Sequence, residues 1–204
     1  MVAIIDYDAG NLANVERAMR HLGADCRITR EQEELKNANH LVLPGVGSFG
    51  DAMEKLKRYR LTEPIRQAVE DGKPLLGICL GLQLFFESSE ESPGVSGLGL
   101  LPGRIARLPG KEGLKIPHIG WNSLSIRENS RLFAGIPQEA YVYFVHSYYL
   151  QAERPEDVAA TAEYGAVFHA AVEHKTLCAC QFHPEKSGEI GLQILKNFLE
   201  IKGE

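Results

Sequence analysis

Residues 74–87 are the stretch that most constrains the fold of this chain. A short apolar run leads to Cys79, which Gly77 and Gly81 enclose in a Gly-x-Cys-x-Gly pattern, and an amphipathic helical segment follows. The pattern is typical of a nucleophile elbow, in which a strand turns sharply into a helix and the reactive side chain projects from the turn. Glycine suits both flanks because a Cβ there would collide with the neighbouring helix or strand.

The position of Cys79 at the start of the predicted helix bears on its chemistry. The positive end of the helix dipole favours a thiolate over a thiol, whose usual pKa is about 8.5. A buried structural cysteine in a core strand is the alternative, since this is the usual fate of a lone free cysteine. A base and an oxyanion site elsewhere in the chain would distinguish the two interpretations.

The size and charge of the chain indicate how many domains it forms and which partners it is not expected to bind. With 204 residues, 44% of them hydrophobic, the chain is expected to form one large domain over residues 1–204. The net charge is −5 and no basic run occurs, so neither nucleic acid nor an anionic membrane is expected as a partner. The sequence also predicts no signal peptide and no membrane-spanning segment, because Met1 leads directly into a strand-like run and the apolar runs are short.

The cysteines indicate the compartment. Four cysteines in a chain of this size do not resemble a disulfide framework, so a reducing, cytoplasmic setting is expected. Cys178 and Cys180 lie two apart in an apolar segment that has no second Cys or His pair at zinc-site spacing. We therefore expect a buried strand there and no metal site.

The order of apolar segments predicts the fold class. Apolar runs at 2–7 and 40–43 enclose a shorter strand at 24–29, and helical spacing at 12–22 predicts a helix between the first two strands. This β-α-β-α-β order predicts an α/β fold with a doubly wound, mainly parallel sheet. After residue 100, short strand-like pieces predict an antiparallel extension of that sheet before a closing helix. The pieces are 103–108, 122–126, 141–150, 158–161, 167–173 and 177–182.

A glycine-rich loop follows the third predicted strand, at residues 44–50. Gly45 and Gly47 enclose Val46, so the backbone is free to present N–H groups into a site. Open α/β folds bind ligands at this carboxyl edge of the sheet, which favours an oxyanion or substrate loop, with an ordinary glycine turn as the alternative. A phosphate loop is disfavoured because Gly-Lys-Ser/Thr is absent, and the spacing of Gly45, Gly47 and Gly50 is by itself a weak signal.

The candidate base is His183, in the Gln-Phe-His-Pro-Glu segment at 181–185. Glu185 follows two residues later, so in an extended backbone both side chains would point to the same side. A carboxylate beside an imidazole fixes its tautomer and favours the imidazolium that forms when it accepts a proton. A surface histidine beside a surface glutamate is the alternative. None of the other six histidines has a carboxylate so placed along the sequence.

Together these residues predict acyl transfer through a thioester. Cys79 would attack an amide or ester carbonyl, while His183 would take the thiol proton and return it to the leaving group. Backbone N–H groups of Leu80 and of residues 45–47 would hold the oxyanion. Losing one such donor typically raises a barrier by roughly 2.7–4 kcal/mol, so the geometry of the loop alone would switch such a site on or off.

Three motifs together resemble the class I (triad) glutamine amidotransferases, in family order and over essentially the whole chain. The resemblance implies a flavodoxin-like fold, L-glutamine as the substrate, glutamate and ammonia as products, and no cofactor. It also implies that Cys79 is the nucleophile, His183 the base and Glu185 the acid that orients it. The motifs are Gly-Ile-Cys-Leu-Gly-Leu-Gln at 77–83, Phe-His-Pro-Glu at 182–185 and Pro-Gly-Val-Gly at 44–47.

Finer features resemble one branch of that family, in which the glutaminase passes ammonia to a separate cyclase subunit in histidine biosynthesis. The resemblance implies a heterodimer with this cyclase, a (βα)8 barrel. The features are Asp-Tyr-Asp-Ala-Gly-Asn-Leu at 6–12, Pro-Gly-Val-Gly-Ser-Phe at 44–49 and Pro-His-Ile-Gly-Trp-Asn at 117–122. Positions that match substrate contacts are Gln83, His146, Ser147 and Tyr148. Positions that match the cyclase-facing surface are Asn11, Asn14, Trp121 and Lys186.

Other functions remain open at this point. The glutaminases of pyridoxal phosphate synthase and anthranilate synthase share the elbow and the His-Pro-Glu ending but lack the stretch seen at 117–122. A γ-glutamyl peptidase would use the same fold without a partner. A regulatory binding module would have lost its triad, against which the intact Cys79, His183 and Glu185 argue.

Overall fold

The computed structural model describes residues 1–110 and 113–203. The helices are α1 Leu12–His21, α2 Gln32–Asn37, α3 Phe49–Arg58, α4 Thr62–Glu70, α5 Leu80–Leu84 and α6 Gly188–Glu200. The strands are β1 Val2–Ile5, β2 Cys26–Thr29, β3 His40–Gly45, β4 Leu75–Cys79, β5 Ser88–Ser89, β6 Gly103–Arg107, β7 His118–Ser123, β8 Ser125–Ile126, β9 Tyr141–His146, β10 Tyr148–Ala152, β11 Val158–Glu163, β12 Val167–His174 and β13 Leu177–Cys180. Short 3₁₀ turns lie at Pro155–Asp157 and Pro184–Lys186.

The main sheet joins a parallel half to an antiparallel half. Within the described residues it has eleven strands, in the order β2-β1-β3-β4-β13-β12-β10-β6-β5, with β11 added beside β12 and β8 beside β11. The neighbours from β2 to β13 pair in parallel, whereas β12, β10 and β6 pair antiparallel. The predicted fold class, a doubly wound, mainly parallel sheet with an antiparallel extension, is confirmed.

The segment predicted as one strand over 141–150 is instead two strands in different sheets. The chain turns at Ser147, so β9 pairs with β7 as a separate two-stranded ribbon, while β10 continues into the main sheet. The prediction that every short strand after residue 100 extends the main sheet is therefore wrong for β7 and β9. Along β9, Val142, Phe144 and His146 are buried and Tyr141 is exposed, which is the alternation of a ribbon with one face on the core.

Apolar layers cover both faces of the parallel half. Helices α1 and α6 pack on one face, where Ile4 and Leu76 belong to the core, and α3 and α4 pack on the other, where Ile5 and Leu75 do. Burial on both faces explains why these strands are continuous apolar runs in the sequence instead of alternating ones.

The parallel register brings the predicted site residues to one edge of the sheet. Gly45, at the end of β3, lies directly opposite Cys79 at the end of β4. On the other side of β4, Cys180 at the end of β13 pairs with Ile78. The loop after β3, the elbow after β4 and the segment after β13 therefore leave the sheet together at its carboxyl edge, where open α/β folds hold ligands.

Candidate active site

The elbow at Cys79 has the tight geometry that its sequence predicts. Cys79 has φ +56° and ψ −108°, a left-handed conformation that is uncommon for a residue with a side chain and costs roughly 1–3 kcal/mol. A Cβ at Gly81 would lie 1.8 Å from the carbonyl oxygen of Leu43, and one at Gly77 would lie 2.8 Å from the carbonyl oxygen of Gly81. These distances explain why glycine stands on both sides of the cysteine.

Helix α5 differs from the sequence prediction. It is a five-residue helix that is buried on every side, and not an amphipathic one. The helix lies in the interior between the sheet and α3, and all five of its residues are buried. The helix-dipole contribution expected at Cys79 is therefore that of little more than one turn.

His183 and Glu185 form a fully buried ion pair beside the elbow. His183 Nδ1 and Glu185 Oε1 are 2.8 Å apart, and the two side chains are 2% and 1% exposed. The backbone is not extended as predicted, because Pro184 begins a 3₁₀ turn that brings the carboxylate back under the imidazole. His183 N–H donates to the carbonyl oxygen of Tyr143 at 2.9 Å, which fixes the position of the turn.

The electrostatics of His183 favour its protonated form. Burial lowers the pKa of His183, but the hydrogen-bonding contact with Cys79 and the Glu185 carboxylate outweigh it and raise this pKa to about 9. Among the described residues, Nε2 has no partner at standard hydrogen-bond geometry. Since Nδ1 is held by Glu185, Nε2 is the nitrogen available to exchange a proton with the sulfur.

Cys79 and His183 open into one pocket of about 270 Å³. It includes seven of the eight residues predicted to contact substrate, namely Val46, Gly47, Leu80, Gln83, His146, Ser147 and Tyr148. Gly45 is not among the lining residues but lies opposite Cys79 in the sheet. The sequence did not indicate Glu91, Pro117 and Val145, which also line the pocket. Glu91 belongs to a polar loop and accepts from Phe49 N–H at 2.7 Å, a contact across 42 residues that no local pattern reveals.

A buried hydroxyl, that of Tyr7 after β1, lies against the loop after β3. The oxygen of Tyr7 occupies the space that a side chain at Gly45 would need, with 2.3 Å between it and a Cβ built there. Among the described residues this hydroxyl has no hydrogen-bond partner, although Tyr7 is fully buried. Burial raises the pKa of Tyr7 far above its usual range, and the neighbouring Cys79 adds to this effect. Tyr7 therefore keeps a neutral, donating hydroxyl against the loop.

His146 is part of a buried histidine pair on the pocket wall. Its Nδ1 lies 2.9 Å from the carbonyl oxygen of Tyr148, and its Nε2 lies 3.0 Å from Nδ1 of His118. Burial lowers the pKa of His118 to about 4 and, together with the neighbouring His118 and His183, that of His146 to about 3. Both rings are neutral at pH 7, and both nitrogens of His146 are engaged within the protein.

The four residues predicted to face a partner lie in two places. Asn11 and Asn14 lie at the start of α1, and Asn14 shares a surface cavity with Glu185. Trp121 is exposed on the β7–β9 ribbon and packs edge-on against Tyr143, whose ring also lies 5.9 Å from Lys186 Nζ. Large apolar side chains are exposed on the same ribbon at Ile119, Trp121 and Tyr141.

A second histidine has a carboxylate at the same distance as His183. His174 Nδ1 lies 2.8 Å from Asp157 Oδ1, a pairing in space that the prediction, which considered carboxylates near each histidine along the sequence, did not include. The partners are 17 residues apart and meet where β11 and β12 pair. Proximity along the sequence therefore could not reveal them.

The described part of the chain offers no arrangement for a metal. Over residues 1–110 and 113–203, no three His, Cys, Asp or Glu side chains are placed to hold a metal ion together.

The helices within those residues include none that is both long and apolar enough to cross a membrane.

The family is shown by comparison with known proteins. Residues 3–201 match the family model described as glutamine amidotransferase class-I. The chain therefore belongs to the class-I glutamine amidotransferases. A crystal structure described as a glutamine amidotransferase covers 98% of both chains with a TM-score of 0.77 at 21% identity. PurLQS from Thermotoga maritima covers 97% of this chain, and this chain 96% of it, with a TM-score of 0.76 at 20% identity.

Curated relatives identify the branch. The chain is 52% identical over 201 residues to imidazole glycerol phosphate synthase subunit HisH of Methanothermobacter thermautotrophicus, with 98% of each chain covered. It is 48% identical over 201 residues to the protein of the same name from Caldanaerobacter subterraneus, again with 98% of each covered. Within the class, the chain belongs to the family of these HisH subunits.

Proposed function

We propose that this chain is the glutaminase subunit of imidazole glycerol phosphate synthase and acts as a single domain over residues 1–204. It hydrolyses L-glutamine to glutamate and ammonia. The observation that carries the proposal is the 52% identity to a HisH subunit over 98% of both chains. The pocket that joins Cys79 to the buried His183–Glu185 pair supports it, since hydrolysis of an amide through a thioester needs a thiolate and a proton carrier.

The reaction proceeds in two halves. In the first, the Cys79 sulfur attacks the side-chain carbonyl carbon of glutamine, and His183 Nε2 delivers a proton to the departing nitrogen, which leaves as ammonia. In the second, His183 takes a proton from water, the water oxygen attacks the thioester carbon, and the C–S bond breaks to release glutamate. Glu185 holds the imidazole through Nδ1 and stabilises its charged form in both halves.

The oxyanion is held by backbone N–H groups. Leu80 N–H, directly after the nucleophile, is one donor, and the loop of Gly45, Val46 and Gly47 supplies another. Gly47 has φ +101° and a Cβ there would meet nothing within 4 Å, so the peptide between Val46 and Gly47 turns at little steric cost. We propose that this loop completes the oxyanion hole only in the assembled enzyme.

The remaining pocket residues hold the glutamine. Gln83 lies one helical turn beyond the nucleophile and faces the pocket, where its carboxamide contacts the substrate. The turn of His146, Ser147 and Tyr148 forms the opposite wall and holds the amino-acid end. Since His146 has both ring nitrogens engaged, it acts mainly by fixing the backbone of this turn.

The partner is a cyclase subunit with a (βα)8 barrel, in a heterodimer within the cytoplasm. We propose that it covers the exposed apolar side chains of the β7–β9 ribbon and contacts Asn11, Asn14, Trp121 and Lys186. Exposed aromatic side chains beside a site are typical of a surface that binds protein. The ammonia then reacts with a phosphoribulosyl aminoimidazole carboxamide nucleotide. The products are imidazole glycerol phosphate and aminoimidazole carboxamide ribonucleotide, in histidine biosynthesis.

The test is glutamine hydrolysis by the purified chain, alone and with the cyclase subunit and its nucleotide. Strong stimulation that disappears in the Cys79→Ala variant is the expected result. High activity without a partner would instead indicate a stand-alone glutaminase or γ-glutamyl peptidase. Equal rates with and without the liganded cyclase would contradict the proposed gating by the Gly45–Gly47 loop.

A further inference from the structure

Gln181 is a buried side chain in direct contact with the elbow. It follows β13, lies two residues before His183, and has no exposed surface. Its Nε2 lies 3.7 Å from Cys79 Sγ, within hydrogen-bond distance for sulfur. Its Oε1 lies 3.0 Å from Nε2 of Gln83. A polar side chain at this depth needs partners for both ends, and Gln181 has them in the nucleophile and in a pocket residue.

The direction of these hydrogen bonds is fixed by a backbone group. The carbonyl oxygen of Tyr148 only accepts, so the atom of Gln83 that lies 3.1 Å from it must be nitrogen. The same nitrogen of Gln83 faces Gln181, so the Gln181 atom there must be oxygen. The nitrogen of Gln181 therefore faces Cys79, and the sulfur is the acceptor.

We propose that Gln181 is a positioning residue that orients the Cys79 sulfur and stabilises it as the attacking thiolate through a side-chain N–H. An N–H directed at an anionic acceptor forms a stronger hydrogen bond than one directed at a neutral acceptor. The inference deepens the proposed function, since it takes Cys79 to be the nucleophile. It adds a neutral N–H contact to the sulfur beside the contact with His183.

Apart from His183, whose contact with Cys79 also favours a thiolate, the other titratable groups around the sulfur do not take this role. The titratable side chains that act on Cys79 are Tyr7 after β1, Cys180 on β13 and His183 after it. Burial raises the pKa of Tyr7 and of Cys180, so neither is charged at neutral pH. The carbonyl oxygen of Val145, 3.9 Å from the sulfur, only accepts and so favours the thiol. Among the described residues, Gln181 supplies the side-chain N–H with hydrogen-bond geometry to Sγ.

The variant Gln181→Glu separates positioning of the nucleophile from a purely structural role. Glutamate has the same shape and keeps an oxygen toward Gln83, so the contact with Gln83 persists. Its second oxygen would face Cys79 in place of the N–H and would repel a thiolate. Gln181→Met removes both hydrogen bonds without adding charge. Gln151→Glu is the matched control, because it adds the same charge on β10 while its Oε1 keeps the contact with Arg104.

The experiment measures the rate of Cys79 alkylation by iodoacetamide against pH, with the modified peptide quantified by mass spectrometry. For Gln181→Glu we expect the midpoint of the pH profile to rise by at least about one pH unit and the rate at pH 7 to fall about tenfold or more. Gln181→Met should shift the midpoint in the same direction by less, and Gln151→Glu should match the unaltered protein. A midpoint unchanged in Gln181→Glu, with Cys79 still reactive, would overturn this inference and leave the proposed function intact.

A second measurement needs no substitution at Gln181. In the unaltered protein labelled with nitrogen-15 glutamine, the side-chain NH₂ signal of Gln181 should move with pH, with the same midpoint as alkylation. Cys79→Ala should abolish this movement. A Gln181 signal that does not respond to pH in the unaltered protein would overturn the inference even if Gln181→Glu failed to fold.

Discussion

Two regions of this molecule contain the same pair of groups at the same distance. His183 with Glu185 and His174 with Asp157 each join Nδ1 to a carboxylate oxygen at 2.8 Å. The first pair is buried at the carboxyl edge of the parallel sheet, in contact with Cys79. The second lies at the end of β12, where His174 is 32% exposed and Asp157 also contacts Arg154 at 2.8 Å. A histidine–carboxylate pair therefore does not identify a base unless the second ring nitrogen faces a nucleophile.

The largest expected difference between the two regions is in turnover. His183→Ala should lower glutamine hydrolysis in the presence of the cyclase by at least about 10³-fold, because His183 is the proposed proton carrier and is in contact with Cys79. His174→Ala should stay within about twofold of the unaltered protein, since it lies away from the pocket. Rates would be measured as glutamate formed per minute. A comparable loss in both variants would remove the distinction between the two pairs.

The second-largest expected difference is between the two carboxylates, Glu185 and Asp157, in their effect on glutamine hydrolysis. Glu185→Gln keeps the shape but not the charge that stabilises the imidazolium, so hydrolysis should fall roughly 10²- to 10⁴-fold. Asp157→Asn should leave hydrolysis nearly unchanged and lower the free energy of unfolding by about 1–3 kcal/mol, since it weakens contacts of a buried acceptor with His174 and Arg154. Urea unfolding and initial rates on both variants check this. Equal losses of activity would contradict it.

A third site, the His118–His146 pair, sharpens the comparison because it is buried without a carboxylate. Its pKa values of about 4 and about 3 lie below the unfolded value near 6.5, so its stabilisation is complete above pH 6.5 and is lost as pH falls toward 4. Between pH 7 and pH 5 the free energy of unfolding should fall by about 2–4 kcal/mol in urea titrations. His118→Phe, which keeps the stacking with Phe144 and Tyr164, should roughly halve that fall. If the free energy of unfolding falls as much in His118→Phe as in the unaltered protein, the His118–His146 pair is not the cause.

The smallest expected effect is on the alkaline side. His183 has a folded pKa of about 9, above its unfolded value, so its stabilisation is complete below pH 6.5 and is lost as pH rises through 9. From pH 7 to pH 10 this should remove about 2–3 kcal/mol. Burial also raises the thiol pKa of Cys178 and Cys180, which further lowers the free energy of unfolding as pH rises. The contribution of His183 is therefore measured as the difference between the unaltered protein and His183→Gln. The variant should lose less stability over this range, and parallel curves would count against the prediction.

The features predicted correctly from the sequence are those that depend on neighbours in the chain. The elbow needs glycine on both sides of Cys79 for a local steric reason, and Glu185 reaches His183 across a single proline. The parallel strands were visible because burial on both faces leaves continuous apolar runs.

The features that were missed depend on pairing between distant segments. After the turn at Ser147, β9 and β10 belong to different sheets. This depends on the strands with which they pair, β7 and β6, and not on the residues of 141–150 themselves. The Asp157–His174 pair and the link from Gln181 to Cys79, 102 residues away, likewise have no local signature. The sequence predicts an amphipathic α5. Its burial on every side depends on packing against α3 and the sheet, which the residues of the helix alone do not reveal.

The place of β13 in the sheet determines when during synthesis the site is formed. This strand, Leu177–Cys180, lies in the middle of the sheet between β4 and β12, yet it leaves the ribosome about 100 residues after the elbow. A nascent chain that has completed the elbow still lacks the strand beside it and His183, the proposed base, which follows that strand. About 100 further residues must therefore be synthesised before Cys79 can contact the segment of Gln181 and His183. Contacts between segments so far apart in the chain form slowly relative to local structure. A truncated product that ends before β13 contains the cysteine but not the active site.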